Sequence, residues 1–189
     1  MTGNFRSQSK SFYYFDINGS GVNPIAPYQC VSLATTAQVA TANAAGCPGG
    51  VGDIVVPTPI TSGLATAKVI GITQNAQLSG ELVNVVVSGT AWVMANAAVT
   101  FGPSTLISPA IQATRTSAQT PFTNNFDMLI RVDPRVVFTY QLCMVDDTAI
   151  TPSSGGANVA GYFVGYALKA ATAQYDIIPI ELDLGVKYY

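Results

Sequence analysis

Short apolar runs, each broken by turn residues, recur along most of the chain. The first is Phe12 to Phe15, within SFYYFD, and NGSG and VNPIAPY follow it at once. Aromatics bounded by Gly, Pro and Asn predict a short strand there. From Val51 the runs are IVVP, LATAKVIGI, ELVNVVVSG, TAWVMANAAV, TLISPAIQA, FDMLIRV, RVVFTYQLCMV, NVAGYFVGYAL and YDIIPIELDL. They are rich in Val, Ile and aromatics, and Gly, Pro, Asn or Ser separates them. That punctuation predicts an all-β chain. Alternation is clearest in RVVFTYQLCMV and IIPIELDLGV, and Pro179 in the latter marks an edge strand, a bulge or a junction. No segment carries a long 3.6-residue stripe, which argues against a wound α/β sheet. Residues 34–46, ATTAQVATANAAG, fit a helix by composition and a loop by their Thr content and weak apolar stripe.

Composition narrows the chemistry. The 189 residues are 49% apolar and only 10% charged, and none is histidine. Soluble domains average about 25% charged residues. The longest apolar run still falls far short of the roughly 20 residues that a spanning helix needs. Without histidine, Ser-His-Asp and Cys-His nucleophiles and His-based zinc sites are excluded. Net charge is -2, and the basic residues (Arg6, Lys10, Lys68, Arg115, Arg131, Arg135, Lys169, Lys187) are scattered. Only Arg131 and Arg135 lie close, with Asp133 between them, so direct nucleic-acid binding is disfavoured. A charge-poor surface is either covered by partner proteins or built from Ser, Thr, Asn and Gln. MTGNFRSQSKS has no apolar run beside its basic residues, so it reads as a polar arm rather than a signal peptide. The division expected is an arm over 1–15 and a single β-rich domain over 16–189, with 101–156 an insertion or second lobe.

The candidate chemical groups all have plain structural readings. Cys30, Cys47 and Cys143 fit no CxxC spacing, and an odd count leaves at least one thiol free. Cys30 and Cys47 are the pair that could close a loop, but buried free thiols are the expected state, above all for Cys143. Asp16-Ile17-Asn18-Gly19-Ser20-Gly21 imitates the start of a calcium loop, but Pro27 stands where a bidentate Glu belongs, so a tight Asx-type turn is expected. Asp146-Asp147 reads as a solvated turn. Nothing places two of Glu81, Asp176 and Glu181 face to face for acid–base work. No Walker or dinucleotide fingerprint occurs. The expectation is no catalytic, cofactor-binding or metal site, and no enzyme. Trp92, the single tryptophan, reads as core. Tyr13, Tyr14, Tyr162, Tyr166, Tyr188 and Tyr189 suit protein contacts. Phe12, Tyr13 and Tyr14 would be the platform of a carbohydrate-binding module.

One device occurs twice. Gly71 to Val87 is GITQNAQLSGELVNVVV, and Gly165 to Leu182 is GYALKAATAQYDIIPIEL. Each opens on Gly, passes small and polar residues, reaches an acid (Glu81, Asp176) and enters an apolar strand. One inserted residue aligns them. With Gly52-Asp53-Ile54-Val55 upstream, these segments resemble the capsid decoration or cement proteins of tailed bacteriophages. In those, "G-x-A-x-x-A", an acid and a V/I strand recur after a "GD-x-V". The first copy here has Thr73 where the second has Ala167. The resemblance covers residues 51–100 and 157–185. It implies a small β-barrel or β-tulip body, a homotrimer, and a place on the outer capsid surface bridging major capsid subunits. No cofactor, nucleic-acid partner or membrane partner is expected from the charge, run lengths and missing fingerprints above. Another virion subunit (minor capsid, head fibre or tail component) is the nearest alternative.

Overall fold

The computed structural model describes residues 7–17, 23–61, 64–101, 105–116, 139–147 and 160–188. The fold is all-β, as the punctuation predicts. Among the described residues there are eleven strands and one helix; the strands are β1 (Gln8–Tyr14), β2 (Cys30–Leu33), β3 (Ile54–Pro57), β4 (Ile60–Thr61), β5 (Leu64–Ala65), β6 (Val69–Thr73), β7 (Leu82–Met94), β8 (Leu106–Thr116), β9 (Thr139–Asp146), β10 (Ala160–Ala167) and β11 (Ile177–Tyr188). The helix, α1 (Thr36–Ala44), joins β2 to β3.

Strands β1, β3, β2, β6 and β7 follow one another in hydrogen-bonded order, and β7 pairs back onto β1. This closes a five-stranded barrel. All its pairings are antiparallel except β1 with β3. Four further strands continue outward from β7 in the order β11, β10, β8, β9. The short β4–β5 pair stands apart.

Alternation along each barrel strand builds two layers of core. Tyr14, Val31, Val55, Val83 and Val85 fill the barrel with Ile25. Their neighbours point the other way. Ile54 and Val56 meet Val39 and Ala42 of α1, with Phe15 and Cys47. Cys30, Ile72 and Val86 meet the outer strands through Val93, Ile107, Cys143, Val145, Val164, Ile178 and Ile180. Burial on both faces explains the unbroken apolar run of β3. Each such Val or Ile contributes roughly 1.5–3 kcal/mol.

α1 settles the ambiguity over residues 34–46. Thr35 and Gln38 form a reciprocal capping box: Gln38 N donates to Thr35 Oγ1 (3.3 Å), and Thr35 N donates to Gln38 Oε1 (2.8 Å). Gly46, at φ 86°, lies just past the helix end.

Three sequence expectations change. Residues 8–14 of the expected arm are a barrel strand hydrogen-bonded on both sides; residues 1–6 lie outside the described set. ELVNVVVSG and TAWVMANAAV, read as two runs, form the single 13-residue strand β7. Its pairing with β1 shifts register near Ser88, and Gly89 takes φ 81°, so the strand bends from barrel wall into outer sheet. Pro179 lies on an interior strand, not an edge, because β11 runs between β7 and β10. Its carbonyl accepts Leu168 N (2.9 Å) just past the end of β10, so its missing N–H falls where that ladder stops. The junction reading is the one that holds.

Within 101–156, β8 and β9 are described. They pair with each other and, through β8, with β10. Ile107, Cys143 and Val145 share a core with the barrel's Cys30 and Ile72. The free edge of β9 is met by loop backbone: Gln141 N donates to Pro24 O (2.8 Å), and Asn96 N to Val145 O (2.6 Å). Gln29, fully buried, ties three layers together. It accepts Cys143 N (2.8 Å) on Oε1 and donates from Nε2 to Pro27 O (2.8 Å) and Met94 Sδ (3.5 Å). Nothing in the sequence pattern marks that residue.

Candidate interaction face

The two acids of the repeated device, and Asp53 upstream of it, do the same job. Each immediately precedes a strand and closes a four-residue turn on itself. Asp53 N donates to Gly50 O (3.1 Å), while Asp53 Oδ2 accepts Gly50 N (3.1 Å). Glu81 N donates to Leu78 O (3.1 Å), and Glu81 Oε2 accepts Leu78 N (3.2 Å). Asp176 N donates to Ala173 O (3.3 Å), and Asp176 Oδ2 accepts Ala173 N (3.0 Å), Thr172 N (2.7 Å) and Thr172 Oγ1 (2.9 Å). The third residue of every turn has positive φ: Gly52 at 95°, Gly80 at 91° and Tyr175 at 70°. Glycine accepts that conformation freely; Tyr175 is held in it by packing beside Met94 and Tyr140.

These turns anchor strand entry. Tyr13 N donates to Asp53 O (2.8 Å), Tyr14 N to Glu81 O (2.9 Å), and Ala95 N to Asp176 O (2.9 Å). Consecutive residues of β1 therefore stitch β3 to β7 across the barrel seam. The glycines that open the two repeats match as well. A Cβ on Gly71 would collide with the carbonyl of Val86, and one on Gly165 with the carbonyl of Glu181. The repeat read from sequence is thus a physical unit: a glycine under a returning carbonyl, a self-capped acidic turn, then a strand.

The acids do not assemble into a site. Glu81 and Asp176 spend their carboxylates on turn amides, and Glu181 sits mid-strand in β11. Thr172 hydrogen bonds hold the Asp176 carboxyl below the ordinary carboxylate value. Asp147 accepts Thr100 N, and Asp146 ends β9. Asp16 is buried, and its Oδ2 accepts Asn23 N (3.2 Å) from the far side of the loop. Residues 18–22, and with them Asn18-Gly19-Ser20-Gly21, lie outside the described set. Among the described residues no three His, Cys, Asp or Glu side chains gather to hold a metal, and no helix is long and apolar enough to cross a membrane.

The aromatics rearrange more. Phe12 and Tyr14 point into the barrel, where Tyr14 is fully buried, and Tyr13 packs on the α1 side. Alternation along β1 consumes the expected platform. Burial, with Asp16 nearby, pushes the Tyr14 phenol well above its ordinary value. Trp92 corrects the opposite way: it is 48% exposed. Its neighbours Ala91 and Val93 face the core, so Trp92 faces out.

Register defines what surrounds it. Trp92 lies opposite Pro179, whose other neighbour across the sheet is Leu168, 43% exposed. The next row is Thr90, Glu181, Tyr166 and Leu106. The inward rows of the same strands are Ala91, Ile180 and Ala167, with Val93 and Ile178, all buried. The outer sheet thus presents one wall to the core and one open face with an indole, a proline, two leucines and a tyrosine beside the Glu181 carboxylate. Aromatic side chains with a polar tip suit contact with another protein. Tyr189 lies outside the described residues.

Comparison with protein-family models, curated proteins and solved structures gives no match for this chain.

Proposed function

We propose that this chain is a structural virion protein of the capsid decoration type, which binds the outer surface of the major capsid shell and cements it. One observation carries the reading: the two Gly-to-acid-to-strand segments, with Gly52-Asp53-Ile54-Val55 before them, resemble those of tailed-phage decoration proteins. The open face of β7, β11 and β10 supports it by offering an adhesive surface on an otherwise charge-poor chain. The chain acts by burial and turns over no substrate. A homotrimer would engage several shell subunits at once, and that multiplies weak single contacts into firm attachment. The Trp92 face is the surface assigned to the shell.

The test is reconstitution. Purified chain is mixed with shells that lack it, and bound protein is read by sedimentation and by electron microscopy of the outer surface. The expected result is ordered binding and a higher temperature of shell rupture. Trp92→Ser should leave the fold intact and weaken binding by roughly tenfold or more, as for a central aromatic anchor. Light scattering should give a trimer. A clean monomer that never sediments with shells would overturn the proposal.

A further inference from the structure

Cys30 and Cys143 are far apart in sequence, and the fold brings their thiols together. Cys30 lies on barrel strand β2 and Cys143 on outer strand β9, which are not ladder neighbours. Both are fully buried in the same core cluster, and burial, with Cys143 beside it, pushes the Cys30 thiol well above its ordinary value. Three contacts hold the pair in register. Cys143 N donates to Oε1 of Gln29, the residue before Cys30 (2.8 Å). Thr58 N donates to Cys30 O (3.1 Å). Thr58 O in turn faces the Cys143 thiol (3.5 Å). Cys47, which the sequence allowed as a loop-closing partner for Cys30, sits in the separate core beneath α1, where its thiol faces Pro48 O.

We propose that Cys30 and Cys143 are a disulfide site: under oxidising conditions they join and staple the outer sheet to the barrel. The oxidant is a small-molecule disulfide such as oxidised glutathione. One cysteine thiolate attacks a glutathione sulfur, breaking the glutathione S–S bond and releasing one glutathione thiolate. The second cysteine thiolate then attacks the mixed disulfide, forming the protein S–S bond and releasing the other. Two protein protons end on two glutathione thiols, and two electrons pass from the cysteines to glutathione. Burial pushes the Cys30 thiol well above its ordinary value and shields both groups from solvent in the closed fold, so the bond forms during folding or when β9 opens.

The full-length chain is refolded from denaturant in excess oxidised glutathione, alkylated with iodoacetamide, and mapped by non-reducing peptide mass spectrometry. A parallel sample is refolded with reduced glutathione. The expected product is a Cys30–Cys143 linked peptide with Cys47 alkylated. Its thermal midpoint should lie roughly 5–15 °C above the reduced chain, because the bond closes a long loop. Cys47→Ala should give the same link and the same rise. A link to Cys47, glutathione left on Cys30 or Cys143, or three alkylated cysteines in the oxidised sample would each overturn the proposal. The wild-type map decides the matter even if Cys143→Ala fails to fold.

Discussion

The barrel and the outer sheet are made of the same residue types but spend them differently. Barrel strands β2, β3 and β6 are buried on both sides, against the barrel interior and against α1 or the outer sheet. The outer strands β10 and β11 bury one side and leave the other open. The closed barrel is therefore scaffold, and the sheet that is half free is where a large aromatic can stand in solvent at Trp92. Exposure of that ring has meaning because the rest of the core shows this sequence can bury apolar groups well.

The largest effects should come from the two glycines, one in each region. Gly71→Ala in the barrel and Gly165→Ala in the outer sheet each force a Cβ against a carbonyl. Each should cost about 3 kcal/mol or more, with Gly165→Ala the worse because its φ of 153° also disfavours a side chain. Chemical denaturation followed by circular dichroism and by the fluorescence of Trp92 would compare them. Coincident transitions are expected, since both regions share the core around Cys30 and Ile107. Barrel signal that survives loss of the outer sheet would break the two into separate cooperative units.

A smaller effect of opposite sign is expected at polar atoms buried without a partner. The barrel has the Tyr14 hydroxyl, and the outer sheet has both side-chain polar atoms of Gln141. Removing an unsatisfied buried group relieves its desolvation cost. Tyr14→Phe and Gln141→Met should each stabilise by up to about 1–2 kcal/mol, read from denaturation midpoints. Loss of stability at either position would mean that the polar atom has a role the fold does not reveal.

The smallest effect concerns acid. The Asp176 carboxyl is held below its ordinary value, first by the Thr172 backbone. Its contribution is full above the unfolded carboxylate value and is lost as pH falls through the lower folded one. Asp176→Asn should lower stability slightly at neutral pH and flatten its decline below about pH 4. An unchanged acid slope would show that this cap is not coupled to folding.

Much of this fold is legible in the sequence, because strand punctuation and the repeated segments report local chemistry. The acids at 53, 81 and 176 precede strands, and the structure explains them by bonds within four or five residues. What the pattern hides is non-local. Trp92 looks like core because its neighbours are apolar, and only the register with Pro179 turns it outward. Tyr14 looks like surface because it follows a polar segment, yet β1 completes the barrel. The break between ELVNVVVSG and TAWVMANAAV is a bend rather than a turn, since Gly89 redirects one strand. Gln29 carries no signal at all; its role depends on Cys143 and Met94, both distant in the chain.

Strand β7 has a mechanical consequence. Its first half is bonded to β1 and β6 and its second to β11, so one continuous backbone belongs to both regions. A pull on the outer face along this strand reaches the barrel lengthwise. There the bonds to β1 and β6 run across the direction of force and must shear together instead of unzipping singly. Load applied along that strand would meet the barrel in this shear geometry, with the bend at Gly89 as the place where tension first straightens the chain.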